Sequence, residues 1–529
     1  MQLDRFGIRL DNLAGMVLRS ADILVLALYS AVVLLLGFWV SRGKKNAEDY
    51  FLAGKKIPGW ALGLSILGTC ISSVTYVAYP GMAFARDWQY LVQGLTLPVL
   101  IALGLLAVVP FYRRYIRMSV TEYMESRFGL GVRTYTLAII LIFELSRLAT
   151  VMYLVSLVMN TVTGYPIAYI ILVTGVITVV YTVAGGMEGI IWNDVVQTIL
   201  FFLGGLLTVF IASHAVPGGL AGTLSSAFEQ GKFKLLDFTP SFSQAGFYVL
   251  FLSGLVNFFY FLAGNQNQVQ RYLCAPDEKQ ARRAALFGSL ASVPIWALFL
   301  LVGTCMFVYF QHAPDPMVAG FVSEQKPDKV FPYFIATRLP AGVAGLVLAG
   351  LLAAAMSTLD ASMATLSTLA VTDLYQKFWK PNDRQSLLVA RGLTLIWGVI
   401  GIALALAMVK VGTFLEFYFR LFSILGGSIT GLFALALLFR RANKAGAIAG
   451  IIAGVVVTVW GSLSYMGVKV GASQWLKFPW DAMMVGVAAT AAVVLIGYLA
   501  SRFLPSKEGA KAAVLWDVFS RQKPSSRIG

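Results

Sequence analysis

The chain has 529 residues and a formal charge of +16, with 58% of its residues hydrophobic and only 12% charged. An ordinary soluble domain carries roughly 25% charged and 45–50% apolar residues, so a soluble enzyme or binding module of this composition would aggregate. The charges are segregated into short clusters between apolar runs of roughly twenty residues or more, the pattern that a hydrocarbon layer ~30 Å thick demands. The Lys and Arg residues form no single basic face interleaved with aromatics, which argues against nucleic acid as a partner.

In chain order, apolar runs predict spans near 22–42, 60–83, 92–112, 134–160, 165–185, 190–213, 245–266, 284–310, 342–371, 386–409, 413–438, 444–466 and 482–502, about thirteen helices. The first is too long for a signal-peptide core and lacks a small-residue cleavage pattern, so it is expected to be retained. Basic residues collect on the cytoplasmic side near span ends. Lys44 and Lys45, then Arg113, Arg114 and Arg117, then Arg271, Arg282 and Arg283, then Lys377 and Lys380, then Arg440, Arg441 and Lys444 all fall on one side of this arrangement. That places the N-terminus outside and the C-terminus inside, with long exterior loops at 214–244 and 312–341. His214 and His312 both land at the exterior face, which disfavours a histidine proton relay. Cys70, Cys274 and Cys305 lie in or beside predicted helices, so no structural disulfide is expected. The tail segment AAVLWDVFSRQK carries apolar residues at helical spacing and reads equally as an inner-surface helix or a solvated tail.

The second and seventh spans are unlike lipid-facing helices. The second carries Ser65, Thr69, Ser72, Ser73 and Thr75 before Pro80-Gly81, and the seventh ends in GNQNQVQR after Gly264. Interrupted backbone is tolerated at membrane depth only where it lines a cavity or is buried in protein. Discontinuous helices at corresponding places in two halves point to an inverted-repeat transporter with a midplane site. The spacing predicts an exterior N-terminus and extra helix over 1–59, five-helix repeats over 60–213 and 245–438 joined by an exterior loop at 214–244, and two further helices with a cytoplasmic tail over 439–529.

Each charge within a span costs at least ~2.5–3.5 kcal/mol and is a functional candidate by default. Arg147, Asp194, Asp360 and Arg420 are such residues. Glu416 and Arg420 are most simply an internal i,i+4 ion pair, and Glu144 beside Arg147 invites the same reading. Span nine repeats Ser357, Thr358, Ser362, Thr365, Ser367 and Thr368, which close helix packing explains for the most part. Packing explains less well why Ser357 and Thr358 are followed at once by Asp360, a grouping suited to a hard, oxygen-seeking cation. No HExxH, phosphate-cradling Gly loop or catalytic His/Cys/carboxylate cluster appears, so an enzyme is not expected. A sensor or channel would need a signalling domain or a symmetric pore repeat, and neither is visible.

The segments YTVAGGMEGIIWNDVVQ (181–197), NQNQVQRYLCAPDEKQARR (265–283) and LLAAAMSTLDASMATLSTLAVTDLY (351–375) together resemble the sodium/solute symporter family over residues 22 to about 440. The resemblance implies an all-α polytopic protein of the LeuT-type fold with 5+5 inverted repeats, working by alternating access in a bacterial inner membrane. It implies one sodium site built from carbonyls at Gly68, Ile71 and Ala354 and hydroxyls of Ser357 and Thr358. A second site, present in some members, falls on Asp194 with Ser357, Asp360 and Ala361, so two sodium ions are expected.

The string TCISSVTYVAYPGMAFARDWQY (69–90) with ELSRLA is similar to the sialic acid symporters of that family. This implies a substrate carboxylate at Arg147, a pocket completed by Cys70, Ser72, Thr75 and Gln93, and aromatic gates at Tyr90 and Phe261, for which core packing is the alternative. Cys70 replaces a threonine, and Gly94 stands where a glutamine is usual, with Gln93 adjacent. The expected partners are a small organic solute, sodium ions and the lipid bilayer, with no nucleic acid; a monomer is compatible with the sequence. A neutral sugar or a short carboxylate is the alternative substrate.

Overall fold

In the computed structural model the described residues are 18–41, 46–379, 381–410, 414–465, 477–504 and 513–519, with the side chains of 73–74 and 410–425 outside that set. Among them the fold is entirely helical. The first half comprises α1 (Ser20–Val40), α2 (Ala47–Leu52), α3 (Gly59–Cys70), α4 (Ser73–Ala85), α5 (Leu91–Ala102), α6 (Val108–Tyr115), α7 (Val120–Phe128), α8 (Leu130–Thr163), α9 (Ile167–His214) and α10 (Gly219–Glu229). The second half comprises α11 (Phe247–Ala263), α12 (Gln266–Cys274), α13 (Glu278–His312), α14 (Pro316–Ser323), α15 (Val330–Arg338), α16 (Val343–Leu369), α17 (Gln376–Trp379) and α18 (Asp383–Lys410). The chain closes with α19 (Phe414–Leu438), α20 (Lys444–Tyr465) and α21 (Met484–Phe503).

Eight of these helices are long and apolar enough to cross a membrane, or up to eleven when three bent pairs are each taken as one span. The bends are 55° within the second predicted span, 65° within the third and 43° within the seventh. The sequence pattern anticipates the first and last of these. The bend in the third follows Gly104 at φ +84°, a conformation that a side chain would resist.

The predicted fifth and sixth spans appear as one helical run, α9, interrupted at Gly186 (φ +52°, ψ −155°). Its 48 residues would extend on the order of 70 Å if straight, more than twice the hydrocarbon thickness. The chain instead doubles back, since the Tyr181 carbonyl lies 3.9 Å from where a Cβ on Gly189 would sit. Tyr50 of α2 packs into this corner, and its hydroxyl donates to the Thr182 and Val183 carbonyls, each at 3.2 Å.

Both ends of the bundle are tied down. On one side Asp22, 2% exposed, accepts from the Gly342 and Gly345 amides at 2.8 Å and so caps the N-terminus of α16 from the first helix. At the other end of α16, Arg133 pairs with Asp373 at 2.8 Å and Lys377 pairs with Glu125 at 2.7 Å. The predicted exterior loops hold helices of their own. Lys232, just after α10, donates to the Phe84 carbonyl at 2.7 Å and the Arg86 carbonyl at 2.9 Å, stacks 3.6 Å over Phe307, and so fastens the C-terminal end of α4.

One sequence expectation needs correcting here. Arg271 is not a loop residue of the cytoplasmic cluster but is fully buried within α12. In the described part of the tail, Leu515–Phe519 forms a short helical turn with Leu515 buried, Trp516 and Phe519 exposed, and Asp517 paired with Arg440. Lys44, Lys45, Lys380 and the side chains of Glu416 and Arg420 lie outside the described residues.

The corner at Gly186 is the most demanding backbone position in this core, because a Cβ there would lie 2.7 Å from both the Tyr50 ring and the Tyr50 carbonyl. Gly186→Ala is therefore expected to destabilise the fold by at least ~1–3 kcal/mol, read as a clear drop in the melting temperature of purified protein in detergent.

Candidate functional site

The first broken helix builds the centre of the site. After Cys70, residues Ile71 (φ −112°, ψ 124°) and Ser72 (φ −114°, ψ 169°) are extended, and α4 begins at Ser73. The break withdraws carbonyls near the end of α3 from the helical ladder. Across from it runs α16, where every residue from Ala353 to Leu369 is buried. Ser357 Oγ lies 3.4 Å from the carbonyl oxygens of both Gly68 and Ala354, and Thr358 Oγ1 lies 3.3 Å from that of Ala354. Four of the five expected sodium ligands therefore adjoin one another, and Ile71 sits fully buried at the break.

These separations are longer than the ~2.7–2.8 Å of a tight hydroxyl hydrogen bond. A hard cation holding oxygens at ~2.4 Å sets neighbouring oxygens ~3.4 Å apart around an octahedron. The donor set is all oxygen, and this spacing fits a sodium-sized ion.

A second polar cluster lies beside it. Asp194 and Arg271, both fully buried, pair at 2.9 Å, and Arg271 Nε also donates to Ser65 Oγ at 2.7 Å. Asp360, equally buried, accepts from the Tyr181 hydroxyl at 2.7 Å. One oxygen of Asp194 and one of Asp360 have no hydrogen-bond partner, and the same holds for Asn193 Oδ1 and Gln197 Oε1 nearby on α9. Gln197 Nε2 meets the Tyr29 hydroxyl of α1 at 3.2 Å. All four orphaned atoms are acceptors, so the partner they lack is a donor or a cation and not an anion. Asn193, Gln197, Tyr181 and Tyr29 were not singled out from the sequence; the i,i+3 and i,i+4 spacing of 193, 194 and 197 on one helix face was the available signal.

The second broken helix meets the first. Gln268, in the first turn of α12, donates to Thr69 of α3 at 2.6 Å. Asn265 caps α12 by accepting from the Asn267 amide at 2.9 Å, and the carbonyls freed above it accept from Tyr112 and Tyr272. Arg113 closes the other end of α12 by donating to the Tyr272 and Ala275 carbonyls at 2.7 and 2.9 Å.

The expected substrate residues are only partly gathered. Cys70, Ser72 and Thr75 cluster at the first break. Arg147 on α8 is 19% exposed and is not unpaired, since Glu144 lies 3.6 Å away. Glu144 is anchored by Ser362 at 2.6 Å and Asn267 at 3.3 Å. Phe261 belongs to an aromatic wall with Phe258, which in turn packs on Trp296. Trp296 accounts for Gly94, because any Cβ there would lie 2.4 Å from the indole ring. Gln93 turns away and donates to Ser253 at 3.0 Å. Tyr90 lines a cavity of about 500 Å³ together with Arg86, Gln89 and Lys232, and Arg147 is not part of its lining.

Two discontinuous helices crossing a hydroxyl-rich helix, with buried oxygens gathered at the first break, define the LeuT-type fold of secondary transporters. The profile of the sodium:solute symporter family matches residues 50–454, and the chain belongs to that family. It is a sodium-coupled symporter embedded in the membrane, and not an enzyme. Similar relatives include the sodium/sialic acid symporter NanT of Aliivibrio fischeri, 29% identical over 91% of this chain and 92% of its own length, and SiaT of Proteus mirabilis, 29% identical over 91% and 95%. The human sodium/iodide cotransporter is also 29% identical, over 83% of this chain and 69% of its own. Among solved structures, a substrate-bound, outward-open Na+-coupled sialic acid symporter described as revealing a novel Na+ site superposes with a TM-score of 0.84 at 27% identity, covering 92% of this chain and 98% of its own. The nucleobase-cation symporter Mhp1 shares the fold alone, at a TM-score of 0.55 and 14% identity.

Removing one partner of a buried ion pair costs ~3–5 kcal/mol, whereas removing both costs far less. Arg271→Met is expected to fall in that range, and Asp194→Asn/Arg271→Met to recover most of the loss, as measured by a double-mutant cycle of thermal melting in sodium-free buffer.

Proposed function

We propose that this symporter carries an acidic sugar, with N-acetylneuraminate the best candidate, together with two sodium ions, by alternating access across a bacterial inner membrane with the N-terminus outside. The observation that carries the substrate class is Arg147, a guanidinium held in a span close to the first break and met only by a long contact to Glu144. A tight charge-assisted pair would be ~2.7–2.9 Å, so a substrate carboxylate can compete for the planar fork. The likeness to the two sialic acid symporters supports the same choice. Cys70, Ser72 and Thr75 would meet substrate hydroxyls from the break, and Phe261 would form part of an apolar wall. Glu144 also favours a second reading, a neutral sugar, since it already balances the arginine.

The first sodium is assigned to Gly68, Ile71, Ala354, Ser357 and Thr358. The second is assigned to the cluster of Asp194 and Asp360, with Asn193 and Gln197 as additional oxygen donors supported by their orphaned atoms.

Arg147→Lys should lose most N-acetylneuraminate binding, because a point ammonium cannot reproduce the bidentate fork, and Arg147→Ala should lose it entirely. Calorimetry across acidic sugars, neutral sugars and short carboxylates decides the class. Undiminished carboxylate binding by Arg147→Ala would leave the neutral-sugar reading in its place.

The ion assignments separate in a sodium titration of uptake. Ser357→Ala/Thr358→Ala should abolish transport, while Asp360→Asn should retain transport with its sodium dependence changed from sigmoidal to hyperbolic. A wild type that is already hyperbolic would exclude the second ion.

A further inference from the structure

A continuous buried chain of polar contacts runs from Arg147 to Asp194. Arg147 stands 3.6 Å from Glu144 Oε1, and the same oxygen accepts from Asn267 Nδ2 at 3.3 Å. The Asn267 carbonyl accepts from Arg271 Nη1 at 3.0 Å, and Arg271 Nη2 pairs with Asp194 at 2.9 Å. Glu144, Asn267, Arg271 and Asp194 are all at most 3% exposed. Thr365 of α16 donates to Asn267 Oδ1, which fixes the amide so that its NH2 must face Glu144.

Asn267 is the meeting point. It lies in the first turn of α12, just past the 43° bend, and its side chain bridges α8 and α16 while its carbonyl steadies Arg271. The two ends of the chain are each open to competition. An anion at Arg147 competes with Glu144 for the guanidinium, and a cation at Asp194 competes with Arg271 for the carboxylate. Each event alters the load on the same turn of α12, next to a hinge in the backbone. Coupling requires such a differential contact and a bistable element to act on.

We propose that Asn267 is a positioning residue that couples the two sites, so that cation occupancy at Asp194 raises the affinity of Arg147 for a carboxylate by setting how firmly Glu144 is held against it. The inference rests on the second sodium assignment made above. Linkage requires the reverse effect to be equal, an anion at Arg147 tightening cation binding by the same factor.

The test measures N-acetylneuraminate binding to the purified full-length protein at zero and saturating sodium, and sodium binding with and without N-acetylneuraminate. The wild type should show reciprocal coupling of about tenfold or more. In Asn267→Ala the sodium-free dissociation constant should stay close to the wild-type value, and the value in saturating sodium should rise to meet it. A merely structural residue would weaken both values in parallel and leave their ratio unchanged, and that result overturns the proposal. Glu144→Gln, which keeps shape and acceptor but removes the competing charge, should bind the anion more tightly without sodium and respond less to it; it replaces Asn267→Ala if that variant does not fold.

A substrate-free arm keeps the substrate reading separate. Arg147→Ala should shift the sodium dissociation constant, read by thermal stabilisation, in the wild-type background and not in Asn267→Ala or Glu144→Gln. If the wild type ignores N-acetylneuraminate, the substrate assignment fails and this arm alone decides the coupling. Equal shifts in all backgrounds, or none in any, would show that Asn267 carries no coupling.

Discussion

Backbone carbonyls and amides inside a hydrocarbon layer must find partners within the protein, and this constraint organises the whole molecule. The two broken helices meet it in different ways. At the second break, Tyr112, Tyr272 and the Asn265 cap occupy the groups that the bend sets free. At the first break, the Gly68 carbonyl finds only long contacts, 3.4 Å from Ser357 Oγ and 3.4 Å from the Ile71 amide. One break is closed by protein groups and the other is left under-satisfied. An under-satisfied carbonyl facing two hydroxyls in a buried region is a place where a desolvated cation replaces what the helix has given up.

Charge balance follows the same logic. With both carboxyls ionised, Asp194 and Asp360 would outnumber the one guanidinium of Arg271, leaving one net negative charge in the buried cluster between α1, α9 and α16. An uncompensated buried carboxylate is costly, and one oxygen of each carboxyl, with Asn193 Oδ1 and Gln197 Oε1, meets no protein donor. Around Arg147 the balance is already zero, because Glu144 answers it. An anionic solute there must displace an existing partner, which makes its binding sensitive to anything that moves Glu144. The two polar regions are thus complementary: one lacks a cation, and the other can release a cationic side chain to an anion.

Much of this architecture was legible in the sequence because it is encoded locally. The Ser/Thr string before Pro80-Gly81 and the polar end of span seven announced both breaks, and Ser357-Thr358 announced the hydroxyl pair. What escaped was encoded at long range or by shape. Arg271 looks like one more basic residue near a span end, and only folding brings it to Asp194, 77 positions away. Glycine at 186 can be seen, but its positive φ cannot, so two predicted spans emerged as one run with a corner. Gly94 read as a missing polar ligand until Trp296, some two hundred residues on, proved to fill its space. Asn193 and Gln197 are unremarkable amides in sequence and become notable only when their oxygens are buried without donors.

The carboxylate at 360 bears on how such a symporter turns over. A hydroxyl at this place would hold a cation through a dipole, whereas an ionised Asp360 would hold it through a full charge in a dry environment, where attraction is far stronger. Tight capture outside is useful only if the ion can leave inside. Two features moderate the hold: the Tyr181 hydroxyl keeps one Asp360 oxygen engaged at 2.7 Å, and Arg271 keeps one oxygen of Asp194 engaged at 2.9 Å. Each carboxylate therefore offers a single free oxygen, and a guanidinium waits to reclaim Asp194 when the ion departs. With two sodium ions and a monoanionic solute, one net positive charge enters per cycle, and the membrane potential adds ~2.3 kcal/mol per 100 mV to the driving force.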